Sequence, residues 1–210
     1  MKKKAQIIAT VGPACEGHLQ ALQDAGVAVF RLNFSHGAQE WHTKQIAAIR
    51  ALKHPAQIML DTKGPEIRTG ELSMPIQLEA GDRLTLINKE SAQSEENRLI
   101  FCTYLDLPKS VNVGDIIQFD NGKFAAKVTS THQSSVVVEL TSAGTLSSRR
   151  HVNLPGIRVN LPTITDKDKK DIVFGVEHGI DMLALSFARD ARDIREAKEL
   201  VGEDVQVIAK

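Results

Sequence analysis

Val27–Gly37, VAVFRLNFSHG, is the stretch on which the fold turns. Its apolar half, Val27-Ala28-Val29-Phe30, does not alternate with polar residues, so it reads as a strand covered on both faces, as in a parallel sheet. Its second half changes character. Arg31, Asn33, Ser35 and His36 put a cation, an amide, a hydroxyl and an imidazole at the carboxyl end of that strand, and Gly37 closes the run. In α/β barrels and open α/β sheets, that edge carries the chemistry.

Outward from this stretch the same pattern repeats. Before it, Gln6–Thr10 reads as a first strand ended by Gly12-Pro13, and His18–Ala25 as a short helix stopped by Gly26. After it, Gln39–Leu52 spaces Trp41, Ile46, Ile49 and Leu52 as a helix face, and Gln57–Leu60 is a third strand running into Asp61-Thr62-Lys63-Gly64-Pro65-Glu66-Ile67-Arg68. Strand, helix, strand, helix, strand is the signature of a parallel α/β sheet or barrel. From about Gly70 to Asn160 the texture is different. Short β-type runs, Arg83–Ile87, Ile116–Phe119, Phe124–Thr129 and Val136–Leu140, alternate with turn signals such as Asp120-Asn121-Gly122. This predicts a small all-β domain inserted in the α/β fold, with Glu90–Arg98 as a mobile polar loop.

The α/β pattern then resumes. Thr165 with Asp166 and Asp168 opens a helix through Ile172, Val173 and Val176. Met182–Leu185 is a fourth strand leading into Ser186-Phe187 and Arg189. Ala191–Val201 is a helix closed by Gly202, and Gln206–Ala209 is a fifth strand that runs into Lys210. The expected organisation places residues 1–69 in the barrel, 70–160 in the inserted β domain, and 161–210 in the barrel again.

Composition narrows the function. Among 210 residues, 26 Lys and Arg balance 26 Asp and Glu, so no global field draws the chain to nucleic acid or membrane, and any anion must be held by a local cluster. No stretch approaches the ~20 apolar residues of a membrane span. Met1-Lys2-Lys3-Lys4 has the charge of a signal-peptide start, but Ala5–Val11 is too short and carries Gln6, so a cytoplasmic protein is expected. Cys15 and Cys102 have no metal-ligand spacing and read as reduced thiols.

Polar residues cluster at three strand ends: Arg31, Asn33, Ser35 and His36; Asp61, Thr62, Lys63 and Arg68; and Lys210. In parallel strands these groups converge. Two arginines and a lysine suit a phosphate, and the Asn, Ser, Asp and Thr oxygens suit a hard cation. Together they fit phosphoryl transfer, which depends on positioning and charge neutralisation. Singly, each has a plainer use. Arg31 or Arg68 could sit in a surface ion pair, His36 in a loop, and Asp61-Thr62 in a turn. Lys167 could be an exposed helix-start charge, and Lys210 could be solvated.

The longer strings say more. QIIATVGPAC (6–15), RLNFSHG (31–37), LDTKGPEIRTG (60–70), NLPG (153–156), LPTITDKDKKDIVFGVEHGIDMLALSFAR (161–189) and VIAK (207–210) closely resemble pyruvate kinase, in the family's order and over essentially the whole chain. The resemblance implies a partial (β/α)8 TIM-type barrel with an inserted β lid. It also implies the glycolytic transfer of phosphate from phosphoenolpyruvate to ADP, giving pyruvate and ATP. Arg31 and Lys210 would be catalytic and bind phosphoenolpyruvate. Asn33, Ser35, Asp61 and Thr62 would hold potassium, and Asn33, His36, Arg68 and Lys167 would lie on the nucleotide side. The family's divalent ion, Mg2+ or Mn2+, is bound by a glutamate two positions past the lysine and by an aspartate on the next strand. Both fall beyond Lys210, so the magnesium ligands are expected to be absent from this chain and the chain inactive alone. Full-length family members are expected as homotetramers, with this chain self-associating or completed by another polypeptide. Departures in the lid are Asp120-Asn121-Gly122, where two aspartates are usual, and Arg150-His151, where lysine-glycine is common. Two other readings stay open: a non-catalytic regulatory partner of a full-length pyruvate kinase, or another phosphoenolpyruvate- or pyruvate-handling barrel enzyme.

Overall fold

The computed structural model describes residues 5–210, so the reading of Met1–Lys4 lies outside the described residues. The chain forms two compact units. The first runs to Pro65 and resumes at Pro162, and the second is Glu66–Leu161. In chain order the first unit opens with β1 (Ile7–Val11), α1 (Leu19–Asp24), β2 (Val27–Asn33), α2 (Gln39–Arg50) and β3 (Gln57–Asp61). The second contains β4 (Ile76–Leu78), β5 (Arg83–Ile87), β6 (Leu99–Phe101), the single turn α3 (Leu107–Ser110), β7 (Ile116–Phe119), β8 (Phe124–Thr131), β9 (Ser135–Leu140), β10 (Gly144–Leu146) and β11 (Val152–Asn153). The first then closes with α4 (Asp166–Glu177), β12 (Met182–Leu185), α5 (Ala191–Val201) and β13 (Gln206–Ala209).

The five strands of the first unit are all parallel, in the order β1-β2-β3-β12-β13. Each strand is added beside the one before it and the order never reverses. That is the winding of a barrel rather than of a doubly wound sheet. One face of the sheet, with Phe30, Leu32, Ile58, Leu60, Leu183 and Leu185, packs on Ile46 and Ile49 of α2, Ile172 of α4, and Ala197 and Val201 of α5. The opposite face carries a smaller apolar set, Val29, Met59, Met182 and Ala184, with Ile208 against it. The later helices start where their caps dictate. Thr165 and Asp168 form a reciprocal capping box for α4, as Asp190 and Asp193 do for α5.

The second unit is built on antiparallel pairing. Its six-stranded sheet runs β11-β7-β8-β9-β5-β6, with only β5 and β6 parallel, and β10 pairs with β4. Asp120, Asn121 and Gly122 all take left-handed backbone (φ 49°, 60° and 86°) and turn β7 into β8. The core beneath is apolar throughout, with Leu84, Leu86, Ile117, Phe119, Val128, Val136 and Val138 on the inner face. The segment expected as a mobile loop, Glu90–Arg98, is instead tied down. Gln93 Oε1 accepts from the Phe101 amide at 3.0 Å, and Ser94 and Leu99 exchange backbone bonds of 3.0 and 2.8 Å. The Glu95 carboxylate takes the Ser73 amide and hydroxyl, each at 2.7 Å. A polar composition conceals this, because a partner such as Ser73 lies 22 residues from Glu95.

Candidate active site

Strand side chains alternate between faces, so the apolar face of Val29, Met59, Met182 and Ile208 determines which residues continue it towards the carboxyl ends. Two residues further on, the same face carries Arg31, Asp61 and Lys210, and Ser186 stands beyond Ala184 in the same way. Register completes the alignment. Asn33 pairs with Asp61, Asp61 with Ala184, and Thr10 of β1 with Arg31. Polar groups from five strands thus meet at one rim of the sheet.

Asp61 is the centre of that rim and is 1% exposed. Its Oδ2 lies 2.6 Å from both Nε and Nη2 of Arg31. Its Oδ1 lies 3.1 Å from the Lys210 ammonium and accepts from the Ser186 hydroxyl at 3.1 Å. The remaining Arg31 nitrogen, Nη1, donates to Thr10 Oγ1 at 2.6 Å. Lys210 is fixed at the backbone as well: its amide donates to Leu185 O, and its carbonyl accepts from the Ala188 amide, both at 3.0 Å. Two cations against one carboxylate leave the cluster positive, and its outer members, Arg31 and Lys210, are partly exposed.

The loop after β2 is shaped by its own polar groups. The Ser35 amide donates to Asn33 Oδ1 at 3.1 Å, the His36 amide to Asn33 O at 3.3 Å, and the Phe34 amide to Asp61 O at 3.0 Å. Beneath it, the buried ring of His42 stacks on Phe34 with 3.9 Å between centroids, and its Nε2 donates to His36 O at 2.9 Å. Burial holds this imidazole below its usual basicity. Lys167 is more than a solvated helix-start charge. Its ammonium donates to Phe34 O at 2.8 Å and pairs with Asp171, tying α4 to the loop.

The loop after β3 is fixed by Asp168, which is fully buried. Its Oδ1 accepts from the Lys63 and Gly64 amides at 3.0 and 3.1 Å, while Oδ2 accepts from the Thr165 amide at 2.9 Å. Gly64 sits at φ 68°, and a Cβ there would come within 2.5 Å of the Phe187 ring, so glycine is required twice over. Thr62 is buried too; its amide donates to Ala184 O at 3.1 Å, and its Oγ1 accepts from the Ser186 amide at 3.0 Å.

Arg68 belongs to the second unit, where all three guanidinium nitrogens have partners. Nε donates to Glu66 Oε2 at 3.0 Å, Nη1 to Arg149 O at 2.7 Å, and Nη2 to His151 Nε2 at 2.8 Å. Sequence reasoning missed Thr10, Ser186, Asp168 and Asp171 as members of these networks. For Ser186 a signal exists: it follows the apolar run MLAL as Thr62 follows QIMLD.

Comparison with known proteins agrees with this architecture. The family model "Pyruvate kinase, barrel domain" matches residues 2–210. The chain is 41% identical to a pyruvate kinase of Geobacillus stearothermophilus over 223 residues, covering 100% of this chain and 38% of that protein. It is 36% identical to plastidial pyruvate kinase 2 of Arabidopsis thaliana, covering 100% of this chain and 38% of that protein. With a pyruvate kinase of Chlamydia trachomatis it shares 38% identity, covering 100% of this chain and 45% of that protein. The chain therefore spans under half the length of these relatives. A family match that begins at residue 2 and runs through the inserted β unit to Lys210 leaves one reading of the barrel-wound sheet: the chain belongs to the pyruvate kinase family.

Proposed function

We propose that the protein serves the transfer of a phosphoryl group from phosphoenolpyruvate to ADP, giving pyruvate and ATP. The observation that carries this is the buried Asp61 carboxylate holding the Arg31 guanidinium and the Lys210 ammonium side by side at the carboxyl rim of the sheet. A guanidinium and an ammonium with one shared counter-charge form a preorganised site for a phosphoryl group, on which charge must be neutralised as it moves. In this reading Arg31 binds the phosphoryl group of phosphoenolpyruvate. Lys210 stabilises that group during transfer and the enolate left behind. Asn33, His36, Arg68 and Lys167 serve the nucleotide.

The donor set at the end of β2 and β3 fits a monovalent cation such as potassium. Asn33 and Asp61 are register partners, Thr62 and Ser35 add hard oxygens, and the Asn33 oxygen, which has two lone pairs, is committed to the Ser35 amide by only one. Bound there, the ion would add positive charge beside the phosphoryl group. For a divalent ion the fit is different. Among the described residues, no three His, Cys, Asp or Glu side chains converge to hold a metal. Also among the described residues, no helix is long and apolar enough to cross a membrane.

The test is pyruvate formation from phosphoenolpyruvate and ADP with magnesium present, in potassium and in sodium buffers, read beside protection of the protein from proteolysis by phosphoenolpyruvate. The expected result is protection that requires potassium and is lost in Arg31→Met, with any turnover falling by about 100-fold or more in Lys210→Met. Neither turnover nor protection in either buffer would overturn the proposal.

A further inference from the structure

We infer that His151 is a positioning residue that holds Arg68 while its ring is neutral and releases it when the ring takes up a proton. The two residues are backbone partners in an antiparallel bridge, and the adjacent Val152 amide donates to Ile67 O at 2.8 Å, so the side chains are brought together by the fold. Guanidinium nitrogens only donate. The 2.8 Å bond from Arg68 Nη2 therefore makes His151 Nε2 the acceptor, with the ring proton on Nδ1. A proton added at Nε2 removes that acceptor and sets cation against cation. Glu66 lies beside the new charge: its Oε1 is 3.8 Å from His151 Nε2, while its Oε2 holds Arg68 Nε at 3.0 Å. Protonation thus takes one partner from Arg68 and makes it share another.

The charges around the ring come from three elements. Glu66 and Arg68 lie on the incoming segment, and Arg149 and Arg150 on its own segment. From the β7–β8 turn come Asp120, whose amide donates to His151 O at 2.9 Å, and Lys123, paired with Asp120. Arg150 lies 3.6 Å from Asp120, so the carboxylate of that turn is already shared between two cations, and the carboxylate beside His151 Nε2 is that of Glu66. Arg68 pulled from its three-point hold would meet an anion less well ordered. This consequence rests on the proposed role of Arg68 at the nucleotide phosphates.

Two measurements on the purified protein test the inference. The first is the ring 15N shifts of His151 at about pH 8, in wild type and Arg68→Met. The second is calorimetric affinity for metal-free ADP at about pH 8 and about pH 5.5, either side of the ordinary imidazole range, in wild type and His151→Gln. Glutamine offers a carbonyl acceptor and gains no proton, while protonation of ADP itself affects both proteins alike. The expected results are an unprotonated Nε2 in wild type that becomes protonated in Arg68→Met, and an acid loss of ADP affinity about tenfold larger in wild type than in His151→Gln. A protonated Nε2 in wild type at pH 8, or the same acid loss in both proteins, would overturn the inference. Absence of ADP binding at pH 8 with the unprotonated Nε2 intact would overturn the nucleotide role of Arg68, and acid control of binding with it, while upholding the pairing.

Discussion

Among the described residues, the parallel unit buries nine polar or charged side chains: His42, Gln45, Asp61, Thr62, Thr163, Asp168, Asp171, Ser186 and Asp193. The antiparallel unit, counted the same way, buries only Thr69. The difference follows from how each sheet is covered. In the second unit alternation suffices: β9 buries every other residue, and charges such as Lys127 and Glu139 face each other across β8 and β9 on the outer side. In the first unit both faces of the central strands β2, β3 and β12 are covered, so Asp61, Thr62 and Ser186 at their ends are buried with them and bond to one another and to their neighbours. Three of the nine, Asp61, Thr62 and Ser186, stand at the rim where Arg31 and Lys210 meet; the other six lie on α2, α4 and α5 and at Thr163.

Two reporters separate the units. Trp41, the single tryptophan, lies on α2, and Cys102 is buried in the second unit, where burial pushes its thiol up to about 11 and keeps it unreactive until that unit opens. The largest effects should be symmetric. Leu60→Ala in the first unit and Ile117→Ala in the second, both fully buried, should each cost about 3 kcal/mol, read by Trp41 fluorescence and by Cys102 alkylation in urea. A loss in one unit only would mean that the two cores differ in packing as well as in polarity.

Polar substitutions should then break the symmetry. Asp61→Asn leaves a partly buried guanidinium with an amide for a counter-charge and should cost the first unit about 2–3 kcal/mol. Arg83→Gln in the second unit removes an exposed pair with Glu139 and should change stability by less than about 0.5 kcal/mol. Equal costs would remove the functional meaning of the contrast.

The smallest effect is in pH. His42 is buried and less basic than a free imidazole, so the unfolded chain binds a proton there before the folded one does. Its contribution is therefore present above the ordinary imidazole range and is lost as pH falls through that range towards the lowered folded value. Urea midpoints read at Trp41 should drop on acidification in wild type and drop less in His42→Phe, which keeps the stack on Phe34. A slope unchanged by that substitution would place the acid sensitivity elsewhere.

Much of the first unit was legible in the sequence because its strands are long apolar runs punctuated by Gly and Pro. The expected fourth and fifth strands, Met182–Leu185 and Gln206–Ala209, and the helix Ala191–Val201 are the elements of the structure. In the second unit β4, β6, β10 and β11 have two or three residues each, too few to display a period, and they exist only through their partners. The site divides the same way. Arg31, Asp61 and Lys210 could be placed on one rim from strand parity, whereas the roles of Ser186 and Asp168 depend on pairing with residues more than 100 positions away, which no local pattern encodes.

The most direct test is a double-mutant cycle on phosphoenolpyruvate affinity, measured by calorimetry in potassium buffer for wild type, Arg31→Met, Lys210→Met and the double variant. If Asp61 joins the two cations into one anion site, each single change should weaken binding by about tenfold or more, and the double variant should lose less than the product of the two. Affinity unaffected by either change, or losses that multiply independently, would contradict a shared site built on Asp61.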